Sequence, residues 1–329
     1  MTPQDIYQKR ILFAALNWGL GHVMRAIPLI KMLQQSQNTI VIACSEGQQK
    51  LFEQELEGVD YVEHADYPFV FNGKGRFTWD ILRQFPSLLT RLRKEKEQVE
   101  KMIAMYAIDL VISDQRLGFY SEHIPSILVT HQVQLPVKGL AKSVLPFYQS
   151  LLKKFTLIWI PDNPSPDSLS GRLSHSTRMP TRYIGILSRF EPIENVEKLY
   201  DFGAIISGPP PYNQQFFEYL KKEFSSFPIK CYIVFNEATP EKIGNLEIFS
   251  SLDAYQMGKI IQQTKTVVSR SGYSTLMDLK KLNAKAYLIP TPGQFEQLYL
   301  HKHLVDNPQL GVLVSHTEQS FIETYILQR

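Results

Sequence analysis

Short apolar runs recur along this chain, each followed by polar residues and then by a helical pattern. The first half carries Ile11–Leu16, Thr39–Cys44, Val59–Glu63, Leu110–Ser113, Ser126–Val129 and Leu157–Ile160. Most of these runs are continuously apolar and of strand length, as in a parallel sheet covered on both faces. Helical patterns fill the intervals, among them 23–33, 47–56 and a long stretch over 79–105 broken near Pro86. Pro28 inside the first of them predicts a helix that is kinked or starts late. Strands alternating with helices at this rhythm predict an open sheet with helices on both sides. Ligands of such sheets bind beyond the carboxyl ends of the strands. Here the runs end at Asn17, Ser45, Asp114, His131 and Asp162, which would then share one lip. Tyr183–Ser188 reads as a closing strand and 189–201 as a linker. A second series follows: strands at 204–207, 231–235, 247–249 and 266–268, with helices over 213–224 and 255–263. The expected fold is α/β, two doubly wound parallel-sheet domains, 1–188 and 189–329.

At 329 residues the chain is long enough for two ordinary domains. A hydrophobic content of 44% and a charged content of 20% are those of a soluble globular protein. The net charge of +3, with no basic stripe interleaved with aromatics, gives no case for a nucleic-acid partner. Cys44 and Cys231 lie far apart, each in or beside an apolar run, as reduced core cysteines of a cytoplasmic protein do. No apolar run approaches membrane-span length.

The stretch Val268-Ser-Arg-Ser-Gly-Tyr-Ser-Thr-Leu-Met-Asp278 concentrates the chemistry of the second half. It reads as strand, tight polar turn, then helix. Gly272 allows close backbone approach to a ligand. The helix start offers unpaired N–H groups and the positive end of its dipole. Ser271, Ser274, Thr275 and Asp278 are spaced by threes and fours, hence on one face. A nucleotide diphosphate needs N–H donors for its pyrophosphate and acceptors for its ribose diol, and such a face supplies both. A serine-capped helix with a solvated polar face fits the same residues equally well.

Beyond that helix stand the short strand Ala286-Tyr-Leu-Ile-Pro290 and Thr291-Pro-Gly-Gln-Phe-Glu-Gln297, which opens another helix. With these, the segment resembles the C-terminal donor domain of family 28 glycosyltransferases, the group containing the N-acetylglucosaminyltransferase of lipid II synthesis. The shared pattern is an apolar strand, Arg-Ser-Gly, a Ser/Thr, an acidic residue, a strand ending in Pro, then Gln. It runs without a gap from Met257 to Tyr299 and more loosely over the whole chain. The resemblance implies a GT-B architecture, with two doubly wound domains facing across a cleft. It also implies that Ser271 and Gly272 hold the donor diphosphate, Asp278 the ribose, and Gln297 the sugar. Arg270, Tyr273, Ser274, Thr275 and Glu296 would complete the donor site. The family usually has Glu where Asp278 stands, so the reach to the ribose is shorter. Ser207-Gly-Pro-Pro-Pro211 stands where the family has a glycine-rich loop. Its prolines remove N–H donors, leaving Ser207 and Gly208 to contribute.

Gly19-Leu-Gly-His22-Val-Met-Arg25 joins the first strand to the first helix. It lacks the third glycine of a dinucleotide fingerprint. A lone His here can simply cap the helix. At a helix start, however, the dipole disfavours its charged form, and a neutral imidazole in a cleft can take a proton from a hydroxyl or a water. The family has a Gly-Gly-His turn at this place. Nucleotide-sugar hydrolases of pseudaminic acid synthesis share the GT-B look, and their Gly-x-Gly-His-x-x-Arg pattern matches more closely, Arg25 included. Gly19, Gly21, Arg25 and His131 are therefore assigned to the acceptor side or the turn. Asp114, at the end of its strand, is the candidate partner of His22, as in plant-type GT-B glucosyltransferases. A structural bridge from Asp114 to Arg116 fits equally.

No Asp-x-Asp, metal-ligand histidine spacing, Gly-x-Ser-x-Gly elbow or Walker A loop is present, so neither metal nor cofactor is expected. The expected activity is inverting, metal-independent transfer from a nucleotide sugar, a UDP-sugar, to a hydroxyl acceptor, with hydrolysis as the alternative. A sugar 2-epimerase or a non-catalytic relative is a third reading. Three apolar and basic segments, 69–77, 79–93 and 137–155, raise a further expectation: peripheral contact with the inner face of the membrane and a lipid-linked acceptor. Packing of their apolar residues on the sheet is the competing and favoured expectation.

Overall fold

The computed structural model describes residues 1–17, 21–67, 70–75, 80, 83–137, 139–175 and 179–310. Gly19, and Trp79 in the second apolar and basic segment, lie outside them. The chain divides into two compact units, Met1–Val70 with Thr78–Leu187, and Phe71–Phe77 with Ser188–Arg329.

The first unit is a parallel sheet of β1 (Arg10–Ala15), β2 (Thr39–Cys44), β3 (Val59–Glu63), β4 (Leu110–Asp114), β5 (Ser126–Val129), β6 (Leu157–Ile160) and β7 (Thr181–Tyr183). Its order is β3-β2-β1-β4-β5-β6-β7. The helices are α1 (Gly21–Gln35), α2 (Glu46–Glu53), α3 (Phe85–Tyr106) and α4 (Leu145–Leu152). From β1 the chain first works outward to β3, then crosses over to β4 and works outward the other way. The carboxyl ends of β1 and β4 are thus the topological switch point, where such sheets hold ligands. Helix α1 starts at Gly21 and continues through Pro28. It does not start late, although the ring removes the N–H that would bond the Met24 carbonyl. Helix α3 stops at Ala107, which takes a left-handed φ of 50° and donates its N–H to the Ile103 carbonyl. The closing strand is shorter and earlier than expected: Thr181–Tyr183 pairs with β6, whereas 184–188 form no strand.

Apolar residues of the third segment proposed for a membrane interface, with Leu88 and Leu92 of the second, pack inside this unit. Tyr148, Leu152 and Phe155 pack with Leu128 and Ile158, while Phe147 and Leu151 lie against Leu16, Tyr67 and Leu92. Lys153 and Lys154 remain exposed. Among the described residues no helix is long and apolar enough to cross a membrane.

The second unit has β8 (Tyr200–Ile205), β9 (Cys231–Val234), β10 (Glu241–Ile243), β11 (Leu246–Phe249), β12 (Thr264–Ser269) and β13 (Ala286–Leu288) in the order β10-β11-β9-β8-β12-β13. All pairs are parallel except β10–β11, an edge hairpin that polar, exposed residues hid from the sequence reading. Its helices are α5 (Tyr212–Ser225), α6 (Ala254–Gln262), α7 (Tyr273–Lys281) and α8 (Phe295–Asp306). Phe202, Phe216, Leu220, Phe224, Ile233 and Leu246 form much of one core layer. Each such side chain contributes roughly 1.5–3 kcal/mol by leaving water. Here the switch point lies between β8 and β12. The loop after β3 joins this unit, with Gln215 Nε2 donating to the Gly73 carbonyl at 3.4 Å.

Candidate active site

Parallel pairing of β1 with β4 sets Ala15 against Asp114, and Leu16 N donates to the Asp114 carbonyl at 2.9 Å. Helix α1 returns from the β1 end with His22 in its first turn and Arg25 three residues on. The His22 Nδ1 atom lies 3.0 Å from Asp114 Oδ1. Arg25 grips the same carboxylate with two N–H groups: Nε donates to Oδ2 at 2.7 Å and Nη2 to Oδ1. Asp114 and Arg25 are 1% and 2% exposed, whereas His22 keeps 18%, so only the imidazole reaches solvent. Burial pushes the Asp114 carboxyl up, but the charges of Arg25 and His22 outweigh it and hold the group at about 2. His22 is lowered, first by burial and then by the Arg25 charge, with Asp114 acting against both. A permanently ionised Asp114 accepts the Nδ1 proton and leaves Nε2 as the basic nitrogen of a neutral ring. The Asp114–Arg116 bridge does not form. Arg116 pairs with Glu95 at 2.7 Å and Asp66 at 3.0 Å.

Gly21 is the first residue of α1. His131, at the tip of β5, is only 3% exposed, with the Gln132 amide nitrogen 3.5 Å from its Nε2. Its charge is among those that lower His22. It is buried rather than open to solvent.

At the second switch point β12 ends at Ser269, and α7 starts behind Gly272 as N-cap. Glycine offers no side-chain cap to the first turn of this helix. Its φ of −73° is ordinary, and a Cβ added there would meet nothing closer than 3.9 Å, so neither conformation nor packing requires a glycine. Ser207 and Gly208 leave the end of β8 half-buried, and nothing stands within 4 Å of a Cβ built on Gly208. Ser274 and Thr275 are half-buried on the first turn of α7. Asp278, one turn further, receives the Ser188 hydroxyl on Oδ1 at 2.6 Å. Burial lifts its carboxyl to about 7 against the opposing pull of Ser188 and Arg189.

Four residues expected at the donor make contacts within the protein. The Ser271 side chain is fully buried and donates to the Gln297 carbonyl at 3.1 Å. It precedes the helix and does not share the face of Ser274, Thr275 and Asp278. Arg270 turns inward onto the Phe216 ring, 3.9 Å from its centroid, and Nη1 donates to the Ile289 and Pro290 carbonyls. Burial brings its guanidinium down to about 10. Tyr273 is 3% exposed and packs in the core. Gln297 uses its amide oxygen to hold Thr291 N at 2.7 Å, leaving Nε2 toward Gly272. Glu296 is half-buried in the first turn of α8.

Sequence reasoning missed Ser188, which sits in an apolar run with no motif around it. It also missed the buried set formed by His64, Tyr67, Glu95 and Arg116. His64 Nε2 lies 3.1 Å from Glu95 Oε1, and Tyr67 donates to the same carboxylate. Glu95 stands among Arg91, Arg93, Lys94, Lys96 and Glu97, where no local pattern marks it as buried. Among the described residues no group of three or more His, Cys, Asp or Glu side chains could hold a metal ion.

Two doubly wound units of this kind define the GT-B class of fold, and solved structures bear it out. The chain resembles the spinosyn rhamnosyltransferase SpnG complexed with thymidine diphosphate (TM-score 0.63, 14% identity, 94% of this chain and 87% of that one). It also resembles the spinosyn forosaminyltransferase SpnP (TM-score 0.61, 13%, 93% and 85%) and MurG of Acinetobacter baumannii (TM-score 0.56, 12%, 97% and 90%). At such identities the likeness speaks for the fold. Residues 213–325 match the glycosyltransferase family 28 C-terminal domain. The C-terminal part of the chain thus carries a family 28-like glycosyltransferase domain, on a fold shared with glycosyltransferases. No protein of curated function matches it at the level of sequence.

Proposed function

We propose that this enzyme transfers a sugar from a nucleotide sugar, a UDP-sugar, to a hydroxyl acceptor with inversion and without a metal ion. The observation that carries the reading is the His22–Asp114 pair at the first switch point, with Nδ1 3.0 Å from the carboxylate. In this reading residues 1–188 supply the acceptor side and 189–329 the donor side. The helix start behind Gly272 holds the diphosphate through backbone N–H groups, and Asp278 accepts from the ribose diol. His22 Nε2 removes the proton of the acceptor hydroxyl as its oxygen attacks the anomeric carbon from the face opposite the diphosphate. The C1–O bond to the diphosphate breaks, and the nucleoside diphosphate leaves with the bonding pair. Asp114 stabilises the imidazolium formed, and the N–H groups of α7 stabilise the leaving charge.

The test is a panel of UDP- and TDP-sugars with and without hydroxyl acceptors. Nucleotide release coupled to a glycosylated acceptor is expected. His22→Ala should lower the rate by about 10²–10⁴ while nucleotide binding persists. Fast stoichiometric release of free sugar without acceptor would establish hydrolysis instead, with His22 activating water.

A further inference from the structure

Asp114 and Arg116 stand two residues apart, near enough in the chain for a guanidinium to reach the carboxylate. They carry opposite charges and both are buried, yet each is held by other partners. Asp114 is held by Arg25 and His22 of α1. Arg116 Nε donates to Glu95 Oε1 at 2.7 Å, Nη1 to Asp66 Oδ1 at 3.0 Å and Nη2 to the Ala65 carbonyl at 2.7 Å. The Tyr67 ring centroid lies 4.9 Å from the guanidinium carbon. Between the two residues Gln115 takes a left-handed φ of 63°. A glutamine is strained there, and such strain persists where the surroundings over-determine it. Ser113 Oγ closes the turn, donating to the Arg116 carbonyl at 2.6 Å and accepting from Arg116 N at 3.2 Å.

Glu95 is buried on α3, and the fold makes room for it. A Cβ on Gly118 would come within 2.6 Å of Glu95 Oε2 and 2.7 Å of the Leu92 carbonyl, so only glycine lets the chain beyond Arg116 lie so close to α3. Carboxylates are seldom buried unless paired. Burial, the largest single influence, pushes the Glu95 carboxyl up, yet His64, Arg116 and Tyr67 together hold it below its ordinary value. We propose that Glu95, helped by Asp66, is a positioning residue for the base: by occupying Arg116 it reserves the Asp114 carboxylate for Arg25 and His22. With Glu95 neutral, the Arg116 guanidinium is left undercompensated two residues from Asp114. It then competes with His22 for the carboxylate or adds its charge to that of Arg25, and either disfavours the imidazolium. The charged groups that face His22 itself are Arg25 on its own helix, Asp114 on β4 and His131 at the tip of β5. This inference rests on the reading of His22 as the base.

The test follows the His22 imidazole by NMR across pH, which needs neither substrate nor turnover; the resonance missing from His22→Ala assigns it. Glu95→Gln keeps the shape and an acceptor oxygen and removes the charge. Its His22 titration should move down by about half a pH unit or more, the scale of one charge left uncompensated nearby. Asp66→Asn, at a half-buried position, should move it the same way by less. Glu95→Gln combined with Arg116→Gln buries no unpaired charge and should bring the titration back toward that of wild type. A residue kept for packing alone would not be rescued by removing its partner. If Glu95→Gln does not fold, Asp66→Asn and the double variant carry the test. A titration unmoved or raised in the single variants, or as far displaced in the double variant, would overturn the proposal. Undiminished turnover by His22→Ala would overturn the base assignment instead, so the two readings fail separately.

Discussion

At the first switch point α1 opens with a histidine turned onto a carboxylate that an arginine grips with two N–H groups. At the second, α7 opens behind a bare glycine, and its acidic residue waits a full turn down the helix, met by a serine hydroxyl. Both are strand–turn–helix elements at the place where a doubly wound sheet reverses. Their electrostatics run opposite ways. The first buries an ion pair that holds Asp114 at about 2, an anion at any working pH, and the second leaves Asp278 near 7. A site that moves protons needs one group fixed in charge so that its neighbour can change. A site that receives an anion needs its own negative charge kept away. The comparison predicts that damage to the first turn shows in turnover and damage to the second in binding.

The largest effect is expected for Asp114→Asn. The amide keeps an oxygen for Arg25 but can no longer fix the His22 tautomer or stabilise its cation. The rate should fall by about 10²–10⁴ with nucleotide affinity unchanged. Asp114 acts against burial and Arg25 to keep the His22 pKa from falling further. Its loss should therefore move the acid limb of the residual activity to lower pH. An unmoved limb, or a loss confined to nucleotide affinity, would break the comparison at its first half.

Asp278→Asn tests the other half and separates binding from stability. A carboxyl raised from its ordinary 3.8 to about 7 favours folding fully below about 4. That contribution is lost as pH rises through 7, because the unfolded chain ionises first. The asparagine variant should therefore match wild type near pH 4 and be more stable at pH 8, by about 1–2 kcal/mol for a half-buried group. UDP affinity at pH 8 should drop about 10- to 100-fold through the lost charged hydrogen bonds. In the wild type, UDP should bind more tightly as pH rises through 7 and the carboxylate forms. Melting curves and calorimetric titration at both pH values read all three outcomes.

What could be read in the sequence divides along a physical line. Ile11, Leu12 and Phe13 announce β1 because both faces of a central parallel strand are covered. The same logic fails for β10, whose Glu241, Lys242 and Ile243 sit exposed on an edge. Asp114 could be placed by its position at a strand end, since topology carries those ends to one lip, and His22 by its place in the turn that opens α1, with the family resemblance supporting both. Side-chain direction was not legible. Spacing put Ser271 on the face of Ser274 and Asp278, but it lies before the first helical residue and faces inward. Arg270 was assigned to an anion, yet the nearest acceptors were two carbonyls across the sheet and an aromatic face. Glu95 could not be recognised as buried because its partners, His64, Tyr67 and Arg116, come from two other loops that no local pattern connects to it.

The smallest effect concerns Gly272. A Cβ added there would meet Gln297 Nε2 at 3.9 Å and Thr275 Oγ1 at 4.0 Å, ordinary contact distances, and the φ of −73° suits alanine. Gly272→Ala should thus fold normally, with about 0.5–1 kcal/mol lost because alanine is a poorer N-cap. The added methyl would occupy the space in which a phosphate oxygen approaches the amides of the first turn. UDP affinity should weaken about three- to tenfold, as for one impaired hydrogen bond to an anion. Uridine, which has no phosphate, should bind the variant and the wild type alike. That contrast carries the weight of the test, since a general distortion of the turn would weaken both ligands together. Equal weakening of uridine and UDP would mean that the helix start shapes the pocket without holding the anion, and the contrast between the two turns would lose its electrostatic basis.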